Sequence, residues 1–325
     1  IHLFGLTRPQ DLWPVAEQAR ALGTPVLLST VYCDPSDFER SQRGGLVGAV
    51  LRTLGADAAE GLKAIGRAVL RGERGPGTRA MVLRGYSRLQ REVLRESVIL
   101  LPNSESELRR VLADFPLDST DKPAVIVPNG IDAALLDEVP SHGSASRDPE
   151  LAGLEGCILC VGRIEQRKNQ LALVEACKEL GRPVVLAGSE APNQGWYGKA
   201  VREAAGPEVN FLGRVSEETK LALYRLAAVH VLPSWFETTG LVSLEAAALG
   251  CPIVVSANGD TRDYFEDWAE FCEPGSPESI RKAIVAAITN GPREGFKDRI
   301  AAAFTWDRAA EVTAGAYAQA LGRIL

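Results

Sequence analysis

Short runs of apolar and β-branched residues, each closed by Gly, Pro, Asn or Ser, recur along the chain: IHLFGL, TPVLLSTVY, VILLPN, AVIVPNG, CILCVG, RPVVLAG, VNFLG, VHVLPS and CPIVVSA. Most consecutive pairs enclose an amphipathic stretch of helical period, such as QLALVEACKELG. Continuous apolar runs suit strands covered on both faces, and a strand-helix-strand alternation implies parallel pairing through crossovers. The pattern predicts an α/β fold of two doubly wound, Rossmann-like sheets. Ligands of open parallel sheets bind beyond the carboxyl ends of the strands, which directs attention to the loop after each run. Residues 133–156, rich in Ser, Pro, Gly, Asp and Glu, read as a connection between the two sheets. The expected division is a first domain over 1–137, a linker over 138–155, a second domain over 156–304, and a last amphipathic helix over 305–325 that can pack back on the first domain.

Composition narrows the class. The 325 residues, 46% hydrophobic and 24% charged, suffice for two substantial cores in a soluble protein. No apolar run approaches the length of a membrane span and no secretory signal precedes the first strand, although the chain begins at Ile1 rather than at methionine. The six cysteines, Cys33, Cys157, Cys160, Cys177, Cys251 and Cys272, follow no disulfide spacing and read as reduced core residues of a cytoplasmic protein. Cys157 and Cys160 form a C-x-x-C inside a strand, where alternation sends the two thiols to opposite faces. With three histidines, none beside a cysteine or acidic cluster, the sequence offers no metal site.

The loops carry suggestive side chains. After CILCV come Gly162, Arg163 and, near a helix start, Lys168; the two cations read as a phosphate clamp or, taken alone, as a solvated basic turn. After VHVLP comes SWFETTG, in which Glu237 precedes a helix beginning near Thr239 or Gly240. The amides of Thr239, Gly240 and Leu241 would face an anion there, and Gly240 permits close approach. In the helix that follows, Glu245 falls within the apolar arc of Leu241, Leu244, Ala248 and Leu249, with Ser243 on the opposite side. A carboxylate so placed needs a buried basic partner or a ligand, since burial alone costs roughly several kcal/mol. Cations, free amides and two carboxylates eight residues apart suit a diphosphate that carries a sugar at each end.

FETTGLVSLEA resembles the Glu-x(7)-Glu signature of the family four retaining glycosyltransferases, which have the two-domain GT-B architecture. VPNGID, VGRIEQRKNQ, VNFLGRVSEETKLALYRLAAVHVLPS and LGCPIVVSANGD follow in the family's order, and the likeness runs from VILLPNS to the final helix. The resemblance implies that Arg163 and Lys168 bind the diphosphate of a nucleotide-sugar donor such as a UDP-sugar or GDP-sugar. It places Glu245 on the ribose, Glu237 on the transferred sugar, the Gly240 and Leu241 amides on the phosphates, and Val215, Glu217 and Lys220 against the base. It further implies a retaining transfer without metal or other cofactor, in which the leaving phosphate takes the acceptor's proton while Arg163 and Lys168 stabilise it. The first domain would serve the acceptor. Against the family pattern, the chain starts on the strand IHLFGL, so one to two preceding βα units are expected to be missing. Phe4 stands where a histidine often faces the donor sugar, and His2 reads as a structural residue.

One feature lies outside those motifs. Between Glu39 and Arg95 twelve basic residues face five acidic ones, a local +7 in a chain of net charge −6. There Lys63, Arg67 and Arg71 share one helical face and Leu62, Ile65 and Val69 another, which suits contact with an anionic membrane and equally a solvated basic face. Two function classes follow: a transferase moving sugar to a lipid-linked or polysaccharide acceptor of the cell envelope at the inner membrane face, or a nucleotide-sugar-binding protein without transfer activity. Nothing in either reading involves nucleic acid.

Overall fold

The computed structural model describes residues 1–33, 75–116, 122–137 and 151–322, with Gly61 and Gly66. The chain divides into two compact units, Ile1–Pro128 with Ala309–Leu325, and Asn129–Arg308. Each is built on a parallel sheet.

In the first unit, β1 (His2–Phe4), β2 (Val26–Ser29) and β3 (Ser97–Leu100) lie side by side in that order. Alternation along the strands fills two cores. Leu3, Val26, Leu28 and Leu100 meet Leu12 and Ala16 of the helix Pro9–Ala21 and Val93 and Leu94 of the helix Tyr86–Glu96. Leu27 and Ile99 turn the other way, toward Ala316 and Ala320 of the last helix, Trp306–Ala320. His2 is taken up in this unit, its ring nitrogens 2.8 Å from Tyr317 Oη and 2.9 Å from Ser29 Oγ.

Among the described residues the second unit holds a six-stranded sheet in the order β6-β5-β4-β7-β8-β9. Its strands are β4 (Ile158–Val161), β5 (Val184–Ala187), β6 (Val209–Gly213), β7 (Val229–Leu232), β8 (Ile253–Ser256) and β9 (Glu270–Cys272). Ile158, Cys160, Val184 and Val231 face the helices Gln170–Cys177, Gly195–Ala204 and Pro277–Asn290. Cys157, Leu159, Val185 and Val255 face the helices Glu217–Leu226, Leu241–Ala248 and Phe296–Ala303. The sheet is therefore doubly wound, and the cysteines of the C-x-x-C lie in different cores. Burial pushes both thiols up to about 12, so they remain protonated core groups at neutral pH.

Some expectations shift. AVIVPNG forms only an isolated bridge, Ala124 to Leu100: its segment runs on beside Pro102, which accepts from the Val127 amide but has no amide to return. β9 went unread because EFC is three residues long, begins with an acid and is followed by Glu273. The chain enters the second unit at Asn129 rather than after 137, since Ile131 bridges Thr305 and a Cβ on Gly130 would lie 2.3 Å from the Thr305 carbonyl carbon. Of the expected linker, 138–150 lies outside the described residues, while Leu151 and Leu154 are buried in the core of the second unit. Lys63, Arg67, Arg71, Leu62, Ile65 and Val69 also lie outside the described residues. No helix among the described residues is long and apolar enough to cross a membrane.

Candidate active site

The strand order of the second unit reverses between β4 and β7: from β4 the chain moves outward to β6, then returns to β7 and moves the other way. The two strands pair only at Ile158 with Val229 and Leu159 with His230. Beyond that point the Val161 amide donates to Nε2 of His230 at 3.4 Å, so a side chain takes over where the backbone ladder ends. The loops leaving β4 and β7 thus flank the crevice expected at such a reversal.

The loop after β4 begins with Gly162 and Arg163 and closes in a single 3-10 turn, Gln166–Lys168. Asn169 ends the turn in the left-handed conformation, with φ 61°, and its Nδ2 donates to the carbonyls of Pro233 and Pro274. That amide joins the cationic turn to the loop after β7, as does the Trp235 amide, which donates to the Arg167 carbonyl at 2.9 Å. The Lys168 stem passes beside Gly162, where a Cβ would sit 3.6 Å from Lys168 Cε. Arg163, by contrast, leaves its side chain 58% exposed and pairs with Glu165 at 3.4 Å.

Glu237 is where these loops converge. Its carboxylate is buried, and Oε1 accepts from Lys168 Nζ at 2.6 Å and from Arg167 Nη1 at 3.1 Å. Burial alone would raise its pKa; the Lys168 ammonium and the Arg167 guanidinium outweigh that and hold the carboxyl below its ordinary value of 4.5. Its backbone is fixed as well: the Asp260 amide donates to the Glu237 carbonyl at 2.9 Å, and a Cβ on Gly259 would lie 2.1 Å from that oxygen. Three residues on, Gly240 turns the chain into the helix Leu241–Ala248 with φ 82°, a conformation that side chains resist. Thr239 is buried and its Oγ1 accepts from Asn129 Nδ2 at 2.9 Å. The first amides of the helix have no carbonyl one turn back to accept from them, as at any helix start.

The helix itself corrects the sequence reading. Ser243 does not face solvent: it is fully buried, with Oγ 3.3 Å from Nδ1 of His230. The sheet and the helix Phe296–Ala303 enclose this segment on several sides, leaving Glu245 on its partly accessible edge. Glu245 Oε2 accepts from Tyr224 Oη and from Lys220 Nζ, each at 2.9 Å, and Lys220 also reaches Glu217 at 2.8 Å. The basic partner that an internal role for Glu245 requires is therefore present. Burial would lower the Lys220 pKa, but its bonds to Glu217 and Glu245 raise it overall; burial together with the nearby Glu245 raises Tyr224. Val215 is half-buried against the core of this unit.

The structure thus brings Lys168 to Glu237 and gathers Glu217, Lys220 and Glu245, while Arg163 stands free of Glu237. Three contributors escaped the sequence reading. Arg167 lies next to Lys168 in EQRKNQ, where two adjacent bases cannot be ranked without the fold. Asn129 lies in VPNG, far along the chain from Thr239. His230 did leave a signal, a polar ring inside the apolar run VHVLP that burial obliges to find partners. Its pKa falls to about 3 through burial first and the nearby Lys168 second, so the ring is neutral. Among the described residues no group of three or more His, Cys, Asp or Glu side chains could hold a metal ion.

Residues 145–302 match the family model described as Glycosyl transferases group 1. The match lies within the second unit. Over 262 residues the chain is 30% identical to a D-inositol 3-phosphate glycosyltransferase of Geodermatophilus obscurus, covering 71% of this chain and 54% of that protein. It spans about half the length of the curated relatives it matches. Among solved structures, sucrose-phosphate synthase from Thermosynechococcus elongatus shares a TM-score of 0.68 at 20% identity, over 99% of this chain and 73% of that one. Anabaena HepE, solved in complex with UDP and glucose, shares 0.62 at 16% identity, over 98% and 99% of the two chains. At these identities the likeness carries the fold: an α/β protein with two Rossmann-like units of GT-B type.

Proposed function

We propose that the protein is a glycosyltransferase that takes a sugar from a nucleoside-diphosphate sugar and passes it, with retention and without a metal, to a lipid-linked or polysaccharide acceptor. The observation that carries this reading is the buried Glu237, held ionised by Lys168 and Arg167 beside the start of the helix Leu241–Ala248, inside a group 1 domain. The relative described as a D-inositol 3-phosphate glycosyltransferase and the neighbour solved with UDP and glucose support the donor class.

In this reading the diphosphate lies against Lys168, the exposed Arg163 and the amides of Gly240 and Leu241, with Thr239 and Gly162 shaping the approach. Glu245, steadied by Lys220 and Tyr224, takes the ribose hydroxyls, and Val215, Glu217 and Lys220 border the base. Glu237 orients the transferred sugar. The bond from the anomeric carbon to the diphosphate oxygen breaks, the acceptor oxygen bonds to the same face, and its proton passes to the departing phosphate oxygen. Lys168 and Arg163 stabilise the charge that develops there. The basic stretch around residues 40–95 would bring the enzyme to an anionic surface where a lipid-linked acceptor is presented, each base near such a surface contributing ~1 kcal/mol.

The test is a panel of UDP-, GDP- and ADP-sugars read by thermal stabilisation, followed by NMR of the product formed with the stabilising donor in EDTA. A product with the donor's anomeric configuration is expected. Stabilisation without transfer to any glycan acceptor would leave a nucleotide-sugar-binding protein, and no stabilisation by any donor would refute the reading. Vesicle co-sedimentation of wild type and a Lys63/Arg67/Arg71→Glu variant on anionic and neutral lipid tests the basic segment: salt-sensitive binding of wild type to anionic vesicles that the variant loses supports a lipid-linked acceptor, whereas equal binding by both proteins leaves the segment a solvated face and no binding by wild type points to a soluble acceptor.

A further inference from the structure

Two cations share one oxygen of Glu237, and they are held very differently. Lys168 reaches Oε1 by a single ammonium at the end of a four-carbon stem that lies beside Gly162. Arg167 is anchored at several points. Nη2 donates to Glu165 Oε1 at 2.9 Å, Nη1 donates to the Phe236 carbonyl at 3.1 Å as well as to Glu237, and the guanidinium lies 5.4 Å from the centre of the Phe236 ring. Its own carbonyl accepts from the Trp235 amide. A planar fork fixed on both teeth cannot turn away, whereas an ammonium on a flexible stem can.

A single carboxylate does not need two counter-ions, and the donor reading requires one of them elsewhere. If Lys168 engages a diphosphate, Glu237 is left in a buried site where a carboxylate without a cation gives up its charge. We infer that Arg167 is the standing counter-ion of Glu237, keeping this carboxylate charged and in place while Lys168 turns from it to the donor's diphosphate. Arg167 is thus a positioning residue, and the inference rests on the donor reading. The charged and titratable groups around Glu237 are consistent with that division. Lys168, Arg167 and, behind Arg167, Glu165 come from the loop after β4. Cys160 on β4 is held up at about 12 and His230 on β7 down at about 3, so both are neutral, and Asp260 follows the Gly259 backbone that pairs with Glu237. No other cation borders the carboxylate among the described contacts.

The test follows the Glu237 side-chain carboxyl by carbon-13 NMR, assigned against Glu237→Gln, in wild type, Arg167→Met and Arg167→Lys, with and without saturating inorganic pyrophosphate. In wild type the carboxyl is expected to titrate below the ordinary carboxylate range in both states. In Arg167→Met, pyrophosphate should raise its pKa above that of pyrophosphate-bound wild type by about one unit or more, because the remaining cation is drawn off. Arg167→Lys, which restores a charge without the second tooth on Glu165, should fall between. A purely structural Arg167 would lower stability or turnover without this ligand-dependent shift. Equal titration of Arg167→Met and wild type with pyrophosphate, or an equal rise with and without it, would overturn the exchange while leaving the donor reading intact. If pyrophosphate does not bind wild type, the donor reading fails, and the exchange fails with it.

Discussion

Glu237 and Glu245 stand eight residues apart on either side of one helix start, yet their surroundings share little. Glu237 is 6% exposed and meets two cations of a neighbouring loop through one oxygen. Glu245 lies on the accessible edge of its helix and shares Lys220 with Glu217 while accepting a phenol hydroxyl. The first arrangement concentrates charge in a desolvated place; the second spreads a modest charge across a half-wet network. The lesson is that the spacing of two acids in a sequence says nothing of their duties, which are set by what each one is buried against.

The largest expected contrast is in stability. Removing one member of a buried ion pair costs about 3–5 kcal/mol because the partner charge is stranded. Glu237→Gln should lose that much by urea unfolding at pH 7, whereas Glu245→Gln, with its partners able to reach water, should lose about 1–2 kcal/mol. Equal losses would erase the distinction.

The two sites should also fail at opposite ends of the pH scale. Glu237 has a lowered folded pKa, so its contribution is complete above the unfolded carboxyl value and is lost as pH falls below 4.5 through the folded one. Lys220 has a raised folded pKa, so its contribution is complete below 10.5 and is lost as pH climbs above that value. Glu237→Gln should flatten the acid limb of stability and Glu245→Gln the alkaline limb. A variant that flattens the other limb would contradict the assignment.

His230 lies between the two regions, tying Val161 to Ser243, and gives an intermediate effect. Its folded pKa of about 3 lies below the ordinary 6.5, so the unfolded chain takes up the proton first and stability declines as pH falls from 6.5 toward 3. Between pH 6.5 and pH 5 this amounts to ~2 kcal/mol, and His230→Gln should remove that slope. An unchanged slope would mean that the ring is not buried neutral. The smallest effect is expected at Gly240, where φ is 82° but a Cβ would meet only ordinary contacts at 3.4 Å and beyond. Gly240→Ala should cost ~1–2 kcal/mol from backbone conformation alone, and a neutral substitution would show that the turn relaxes.

Much of the fold was legible because β-branched runs and their turn residues announce parallel strands wherever both faces are covered. AVIVPNG misled because Pro102 on its neighbour cannot complete a ladder, a pairing fact invisible within the segment itself. β9 was missed because three residues carry too little periodicity. Topology alone sends the loops of Lys168 and Glu237 to one crevice. The choice of Lys168 and Arg167 rather than Arg163 as partners of Glu237 depends on the 3-10 turn and the left-handed Asn169 that close the loop. Ser243 was read as the outward side of a helix because amphipathic reasoning assumes one wet face, and this helix is enclosed on several sides.

The crevice is proposed to bind a nucleoside diphosphate and to divide the work between the two acids. Calorimetric titration of UDP, GDP and ADP into wild type, Glu245→Gln and Glu237→Gln tests it directly. At least one nucleotide should bind wild type, with affinity falling as salt screens the clamp. Glu245→Gln should weaken that binding about tenfold or more, the loss of a charge-assisted bond to ribose, and Glu237→Gln, which frees Lys168 from its carboxylate, should not weaken it. Failure of all three nucleotides to bind wild type, or equal affinity in wild type and both variants, would contradict the account.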